Sequence, residues 1–528
     1  MEGTFVDPNL TVNGELHPDT RFPLIPLLVV VLGAFMAVLD SSIVNVVIPK
    51  LMAVFGVDAN RIEWVSTGYL LGSGVVVPAT GFLADRVGLK KMFVFSLVVF
   101  TSGSLLCGLA WSNGVLIAFR VLQALGGGMI MPLSLTIMYS MVPREKIGMA
   151  LGLWGIAIAA APAVGPTLGG YLADRFTWRL IFTINIPIGI VAVILVLLVL
   201  PAFPRRPNLK PDVAGFLLAA WGAFAFLYAL AEGQDKGWTS LPIVVLLVTG
   251  TFAFILFALW ELRHPEPLLD IRLLKNGVFT VSLLAVALST IGLFAVIFLV
   301  PIFTETLLGY TPLQTGLLLL PMALTTGVLM PVSGRLFDKV GAFWPGFAGL
   351  VTASIVTYGM RNLGVLSSYH GIEITLVFWA VGLGLAVMPL TTAGMYTIPA
   401  ALVSRASALN NLVRQIAASL GIAFLVYVMD SRQVFHYNWL AATLTYGSAP
   451  AAGAVYRLSS FPGGRSAALD VLSLVARRQS FALGIDDAFV TAALMLALAV
   501  PLVFFLTKGR VDAVRAREVA AYNNGRPR

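Results

Sequence analysis

Cysteine is almost missing from this chain. Its 528 residues contain one, Cys107, which excludes an intrachain disulfide, a CxxC redox pair and a cysteine zinc cluster. The four histidines, His17, His264, His370 and His436, stand at no metal-ligand spacing, so no metal site is expected. No GxxxxGK[ST] phosphate loop occurs, and the apolar segments hold no nucleophile with a base beside it. An enzyme or an ATP-driven pump is therefore not expected. Charge is scarce as well. Asp, Glu, Lys and Arg make up 11% of the chain, against roughly 25% in an ordinary soluble domain. Residues 1–23 are polar, carry Asp7, Glu15 and Asp19 and have no basic n-region, so no removable signal peptide is expected.

What is present is apolar. Hydrophobic residues make up 58% of the chain. They recur in runs of about 20, enough to cross a hydrocarbon core of about 30 Å as helices. Fourteen such runs are predicted, at 24–47, 62–84, 91–110, 114–138, 147–170, 178–200, 212–231, 242–261, 277–303, 313–336, 343–362, 371–392, 402–429 and 485–507. The chain reads as an all-α integral membrane protein. With the N-terminus inside, most Lys and Arg fall in cytoplasmic segments, so the positive-inside rule places both termini in the cytoplasm. The net charge of +9 then follows from topology, and no nucleic-acid partner is implied.

An octapeptide occurs twice, GFLADRVG at Gly81 to Gly88 and GRLFDKVG at Gly334 to Gly341, with a partial copy, GYLADR, at Gly170 to Arg175. An odd number of spans separates the first copy from the partial one, which puts them on opposite sides of the membrane. That is the pattern of nested inverted repeats in secondary transporters. The predicted organisation is a cytoplasmic tail (1–23), a six-helix bundle (24–200), a linker with two extra spans (201–276), a second six-helix bundle (277–507) and a cytoplasmic C-terminal tail (508–528). Within the second bundle, 430–484 reads as a long extracytoplasmic loop, with an amphipathic stretch at Ser466 to Leu483.

GFLADRVGLKKM (Gly81 to Met92) resembles the signature loop of the major facilitator superfamily. LDSSIVNVVIP (Leu39 to Pro49), RVLQALGGG (Arg120 to Gly128), APAVGPTLGGYL (Ala161 to Leu172) and WRLIFTINIPIG (Trp178 to Gly189) resemble, in order, motifs of its 14-span drug:proton antiporter branch, the EmrB and QacA type. The resemblance runs from about residue 24 to 507. It implies a major facilitator fold, two pseudo-symmetric six-helix bundles plus two inserted helices, and export driven by the proton gradient with no cofactor.

An ionised carboxylate inside a span costs roughly 2.5–3.5 kcal/mol on insertion scales, which singles out Asp40 in the first span. It is either a proton-coupling or substrate-binding group or a structural hydrogen-bond partner. Arg120, in the fourth span, is its natural counter-charge and cannot itself deprotonate, so it acts by biasing a carboxylate, by holding an anion or by packing. The resemblance links its motif to proton transfer. Substrate-cavity candidates are Asp40, Asn45, Gln123, Asn410, Asn411, Arg414, Gln415 and Glu305; Arg414 either faces the cavity or snorkels to the cytoplasm. Other acids, Glu63, Glu232, Glu261, Glu373, Asp486 and Asp487, read mostly as solvated helix-end or loop residues.

Gating candidates are Gly81, Asp85, Arg86 and Gly88 as a charge latch, Asp338 as its counterpart, and in the fifth span Gly165 and Gly169 on a small-residue face with Pro166 and Gly170 beside them. The implied function is proton-coupled efflux of lipophilic, cationic drugs or toxic compounds by alternating access. The alternative is a dedicated exporter of a lipid, fatty acid or metabolite, or one coupled to Na+ or K+. Implied partners are lipophilic small molecules, protons and the bilayer of the plasma membrane. Some relatives in double-membrane bacteria use a periplasmic adaptor, which makes such a protein a candidate partner.

Overall fold

The computed structural model describes residues 23–143, 146–205, 207–364, 367–443 and 464–523, and among them every regular element is helical. The first bundle comprises α1 (Leu24–Phe55), α2 (Ala59–Val87), α3 (Leu89–Leu109), α4 (Asn113–Met141), α5 (Ile147–Arg175) and α6, which runs as Leu180–Thr183 and Asn185–Val199 with a break at Ile184. Two helices follow, α7 (Val213–Lys236) and α8 (Leu241–Arg263). The second bundle comprises α9 (Gly277–Ile302), α10 (Pro312–Val340), α11 (Phe343–Gly359), α12 (Tyr369–Tyr396), α13 (Val403–Thr443) and α14 (Gly464–Val503), and α15 (Lys508–Asn523) ends the described chain. The N-terminal tail to residue 22 lies outside the described residues.

These fourteen helices stand where the sequence places the fourteen runs. Among the described residues, twelve stretches are long and apolar enough to cross a membrane. The two other helices are α5, several of whose side chains lie outside the described residues, and α11, whose 17 residues span about 25 Å at 1.5 Å per residue. Local chemistry sets the ends. Asp58 caps α2 through the Arg61 amide, Thr311 and Gln314 form a reciprocal capping box on α10, and Gly56, at φ +63°, closes α1.

Residues 430–484 correct the sequence reading. Most of this stretch is helix rather than loop, because α13 continues to Thr443 and α14 already begins at Gly464, leaving 444–463 outside the described residues. Several of the polar groups that lower the hydropathy here find partners in the fold. Arg432 Nε and His436 Nε2 lie 2.5 and 2.8 Å from Asp487 Oδ2, and Arg478 donates to the Leu307 carbonyl. The amphipathic stretch at 466–483 is accordingly the first half of α14.

Each bundle has its own core, one around Phe93, Phe100 and Trp154 and one around Phe303, Trp379 and Phe489. The two octapeptides make equivalent turns at Gly88 and Gly341, both at positive φ, on the same side of the molecule, called here the latch side; the partial copy ends α5 on the opposite side. The inserted pair does not stand apart from the bundles. Ala219 of α7 and Phe257 of α8 share a buried cluster with Val77 and Phe82 of α2 and Ala408 and Leu412 of α13. The pair therefore covers one flank of the seam between the bundles.

At the other flank α5 and α10 touch backbone to backbone. A Cβ on Gly334 would strike the Gly148 carbonyl oxygen, whereas one on Gly114 would meet open space. Gly334→Ala is therefore expected to destabilise the protein by about 1–3 kcal/mol through overpacking, with Gly114→Ala neutral, as read from thermal unfolding in one detergent.

Candidate coupling and latch sites

Asp40, midway along α1, is fully buried, and its carboxylate is saturated by three side chains. Oδ2 receives Arg120 Nη1 at 2.6 Å, and Oδ1 receives Gln123 Nε2 at 3.0 Å and Asn185 Nδ2 at 2.7 Å. Each donor is held in turn. Arg120 Nε donates to the Val65 carbonyl of α2 at 3.2 Å, Nη1 also reaches Gln123 Oε1 at 2.8 Å, and the guanidinium lies 4.2 Å from the centre of the Tyr69 ring. Asn185 Nδ2 also contacts Ser104 Oγ at 3.0 Å, and Ser104 donates to the Phe182 carbonyl at 2.8 Å. One ion pair thus ties together α1, α2, α3, α4 and α6.

A buried ion pair repays the loss of water only when its remaining hydrogen-bonding capacity is filled, which is what Gln123, Asn185 and Val65 do. The guanidinium keeps its charge at any physiological pH, so protonation of Asp40 is the chemical event that can dissolve the pair. Asp40 and Gln123, expected to line a cavity, are both fully enclosed in this state.

The polar stripe of α13 divides by face. Gln415 Nε2 reaches across to α2, to the Leu70 carbonyl at 3.2 Å and Ser73 Oγ at 3.4 Å, while Asn411 Nδ2 bonds the Ser407 carbonyl of its own helix at 3.2 Å. Asn410 is buried with its Oδ1 unpartnered, and Arg414 is half-buried. Glu305 is exposed at the end of α9, in the π turn Phe303–Leu307, and is not brought to this stripe. The side chains of Asn45 and Pro166 lie outside the described residues.

Both octapeptides engage the opposite bundle. Asp85 Oδ2 lies 3.5 Å from Arg405 Nε at the start of α13, with both side chains largely buried, and Gly81 lets α2 close onto the Ser404 carbonyl, 2.8 Å from where a Cβ would stand. In the second copy Asp338 Oδ1 accepts from the Gly148 amide at 3.3 Å, at the start of α5. Lys90 does more than anchor a loop, since its ammonium caps the end of α6 through the Leu197 and Leu200 carbonyls at 2.9 and 2.6 Å. Arg86 and Gly170 are half-buried.

The small residues of α5 divide between two partners. Gly148 and Gly152 fit against Gly334 and Pro331 of α10, and Gly165 and Gly169 fit against Ser42 and Ile43 of α1, immediately after Asp40. Ser42 Oγ also donates to the Ala161 carbonyl at 3.2 Å. A single helix therefore connects the latch side of the inter-bundle seam to the buried carboxylate.

Sequence reading missed Asn185, Ser104, Tyr69 and Arg405. A lone Asn within the apolar run of WRLIFTINIPIG was the available signal for Asn185. Glu261 is also corrected, since it is 1% exposed rather than solvated. It faces Asp212, whose Oδ1 accepts from the Gly215 amide and Trp260 Nε1, while Glu261 Oε1 accepts from the Leu268 amide.

Removing one partner of a buried pair strands the other charge, at a cost of about 3–5 kcal/mol. Asp40→Asn and Arg120→Gln are each expected to lose stability in that range, and the double variant to lose less than their sum. Thermal unfolding of the four proteins checks this, and simple additivity would mean that the pair is not coupled.

The comparisons with known proteins agree with this architecture. The Major Facilitator Superfamily model matches residues 30–422. The fatty acid resistance protein FarB of Neisseria gonorrhoeae is 30% identical across 90% of this chain and 94% of its own length, and the multidrug export protein EmrB of Escherichia coli K12 is 32% identical across 78% and 81%. Among solved structures, the proton:xylose symporter XylE bound to 6-bromo-6-deoxy-D-glucose covers 94% of this chain and 99% of its own, at 14% identity and a TM-score of 0.59, a likeness of fold alone. The chain belongs to the Major Facilitator Superfamily, as a multi-pass transporter of its multidrug-type efflux branch rather than an enzyme.

Proposed function

We propose that the chain exports lipophilic compounds across the cytoplasmic membrane in exchange for protons, by alternating access between its two bundles. Both termini and the latch side are cytoplasmic in this reading, and the state described is closed to the cytoplasm. The observation that carries it is the enclosed Asp40 carboxylate held by a guanidinium that cannot deprotonate, with three donors in all. A carboxylate so placed has two stable arrangements, ionised and paired or protonated and released, and that bistability is what coupling requires.

A proton arriving from outside neutralises Asp40 and removes the ionic attraction of α1 to α4. Because α1 packs on α5 through Ser42 and Ile43, and α5 packs on α10 through Gly148 and Gly334, a shift of α1 loads the seam on the latch side. The Asp85 to Arg405 and Asp338 to Gly148 contacts then part and the cytoplasmic side opens. Release of the proton inward restores the pair with Arg120 and closes that side around a loaded substrate. The name of EmrB, a multidrug export protein, supports export, and that of FarB, a fatty acid resistance protein, supports a second reading, a fatty-acid or lipid exporter.

In inside-out proteoliposomes, acidification of the lumen is expected to drive uptake of lipophilic compounds by the wild type. Uptake should collapse with an uncoupler and be lost in Asp40→Asn. Uptake that is indifferent to the gradient and unchanged in the variant would reject proton coupling at Asp40. Asp85→Asn is expected to weaken cytoplasmic closure, read as faster labelling of a cysteine introduced on the seam at Met330, against the same cysteine with Asp85 intact.

A further inference from the structure

We infer that Arg414 and Asn410 form a docking point for the anionic head, carboxylate or phosphate, of a single-tailed amphiphile held between the bundles. The inference deepens the export reading and rests on it for physiological meaning. Several arginines among the described residues stand in or beside the seam, and one of them, Arg335 of α10 against Met149 of α5, is exposed. Arg120 is matched by Asp40 and Arg405 by Asp85. Arg414 makes no hydrogen bond or ion pair among the described residues. Asp40 cannot serve it, because both carboxylate oxygens are filled by Arg120, Gln123 and Asn185. The seam is thus left with an unmatched positive charge.

An uncompensated guanidinium in a span is costly, and such residues mark substrate or ion pathways. Position supports this. At 100° per residue, the Gln415 face of α13 touches Leu70 and Ser73 of α2, and the Leu409 and Val413 face packs with Phe279 and Leu283 of α9. Asn410 and Arg414, one turn apart, lie on the strip between those faces, at the boundary of the two bundles. Asn410 adds a buried amide with an unpartnered Oδ1, and an amide can present either its oxygen or its NH2 group. A guanidinium fork matches carboxylate and phosphate oxygens in geometry as well as charge, and the adjoining Leu409, Val413, Phe279 and Leu283 are apolar, which suits a hydrocarbon tail. A cationic amphiphile would meet a like charge here.

The test is binding without any gradient, by the full chain in nanodiscs, of three probes with the same tail: dodecanoate, dodecyl phosphate and dodecyltrimethylammonium. The wild type is expected to bind one or both anions and to release them to each other but not to the cation, the preferred anion identifying the head group. Arg414→Gln should weaken anion binding by about tenfold or more, as for a lost charge-assisted hydrogen bond, and Arg414→Lys should weaken it less. Equal or tighter binding of the cation by the wild type, unchanged anion affinity in Arg414→Gln, or displacement by inorganic phosphate alone would overturn the proposal. Retained head-group preference in a protein that moves none of the probes across a membrane would reject the export reading and leave this site standing.

Discussion

The ion pair of Asp40 and Arg120 is the constraint on which the first bundle is arranged. Two opposite charges withdrawn from water hold only if every remaining lone pair and N–H is filled, and that requirement draws α2, α3, α4 and α6 around α1. The break in α6 at Ile184 sits next to Asn185, the third donor. A proton added to this centre therefore alters the fit of several helices at once.

The two halves meet through repeated chemistry. In each copy of the octapeptide the first glycine gives the close approach of backbones and the acid contacts the start of a helix in the other half. The equivalence is one of role, since Asp85 uses a side-chain cation and Asp338 a backbone amide. The smooth face of α5 packs on both α1 and α10, and in the proposed cycle it is the mechanical link, because tightly packed small residues transmit displacement where flexible side chains would absorb it. The inserted helices α7 and α8 cover the flank where α2 meets α13, which restricts lateral approach to the seam from that direction.

Much of this was legible in the chain. The runs placed fourteen helices, the intramembrane carboxylate and arginine named the central pair, and repetition of the Asp marked two contacts between the bundles. What was not legible depends on neighbours distant in sequence. Arg405 carries no local signal that it meets Asp85, and Asn185 looks like one polar residue in an apolar run until Asp40 stands opposite. Gln123 shares the helix face of Arg120, yet only the folded protein shows that it is spent on Asp40 rather than free for a substrate. Residues 430–443 and 464–484 failed for a different reason: Asp430, Arg432 and His436 in the first stretch and Arg465, Asp470, Arg477 and Arg478 in the second depress hydropathy, and only the folded hairpin brings Arg432 and His436 to Asp487.

The account turns on Asp40 exchanging its proton as the transporter changes state. The most direct test is to add a transported compound to purified protein in weakly buffered solution and measure proton release with a pH indicator. The account requires release from the wild type and none from Asp40→Asn, in a variant that still binds the compound. Equal release from both proteins would contradict it.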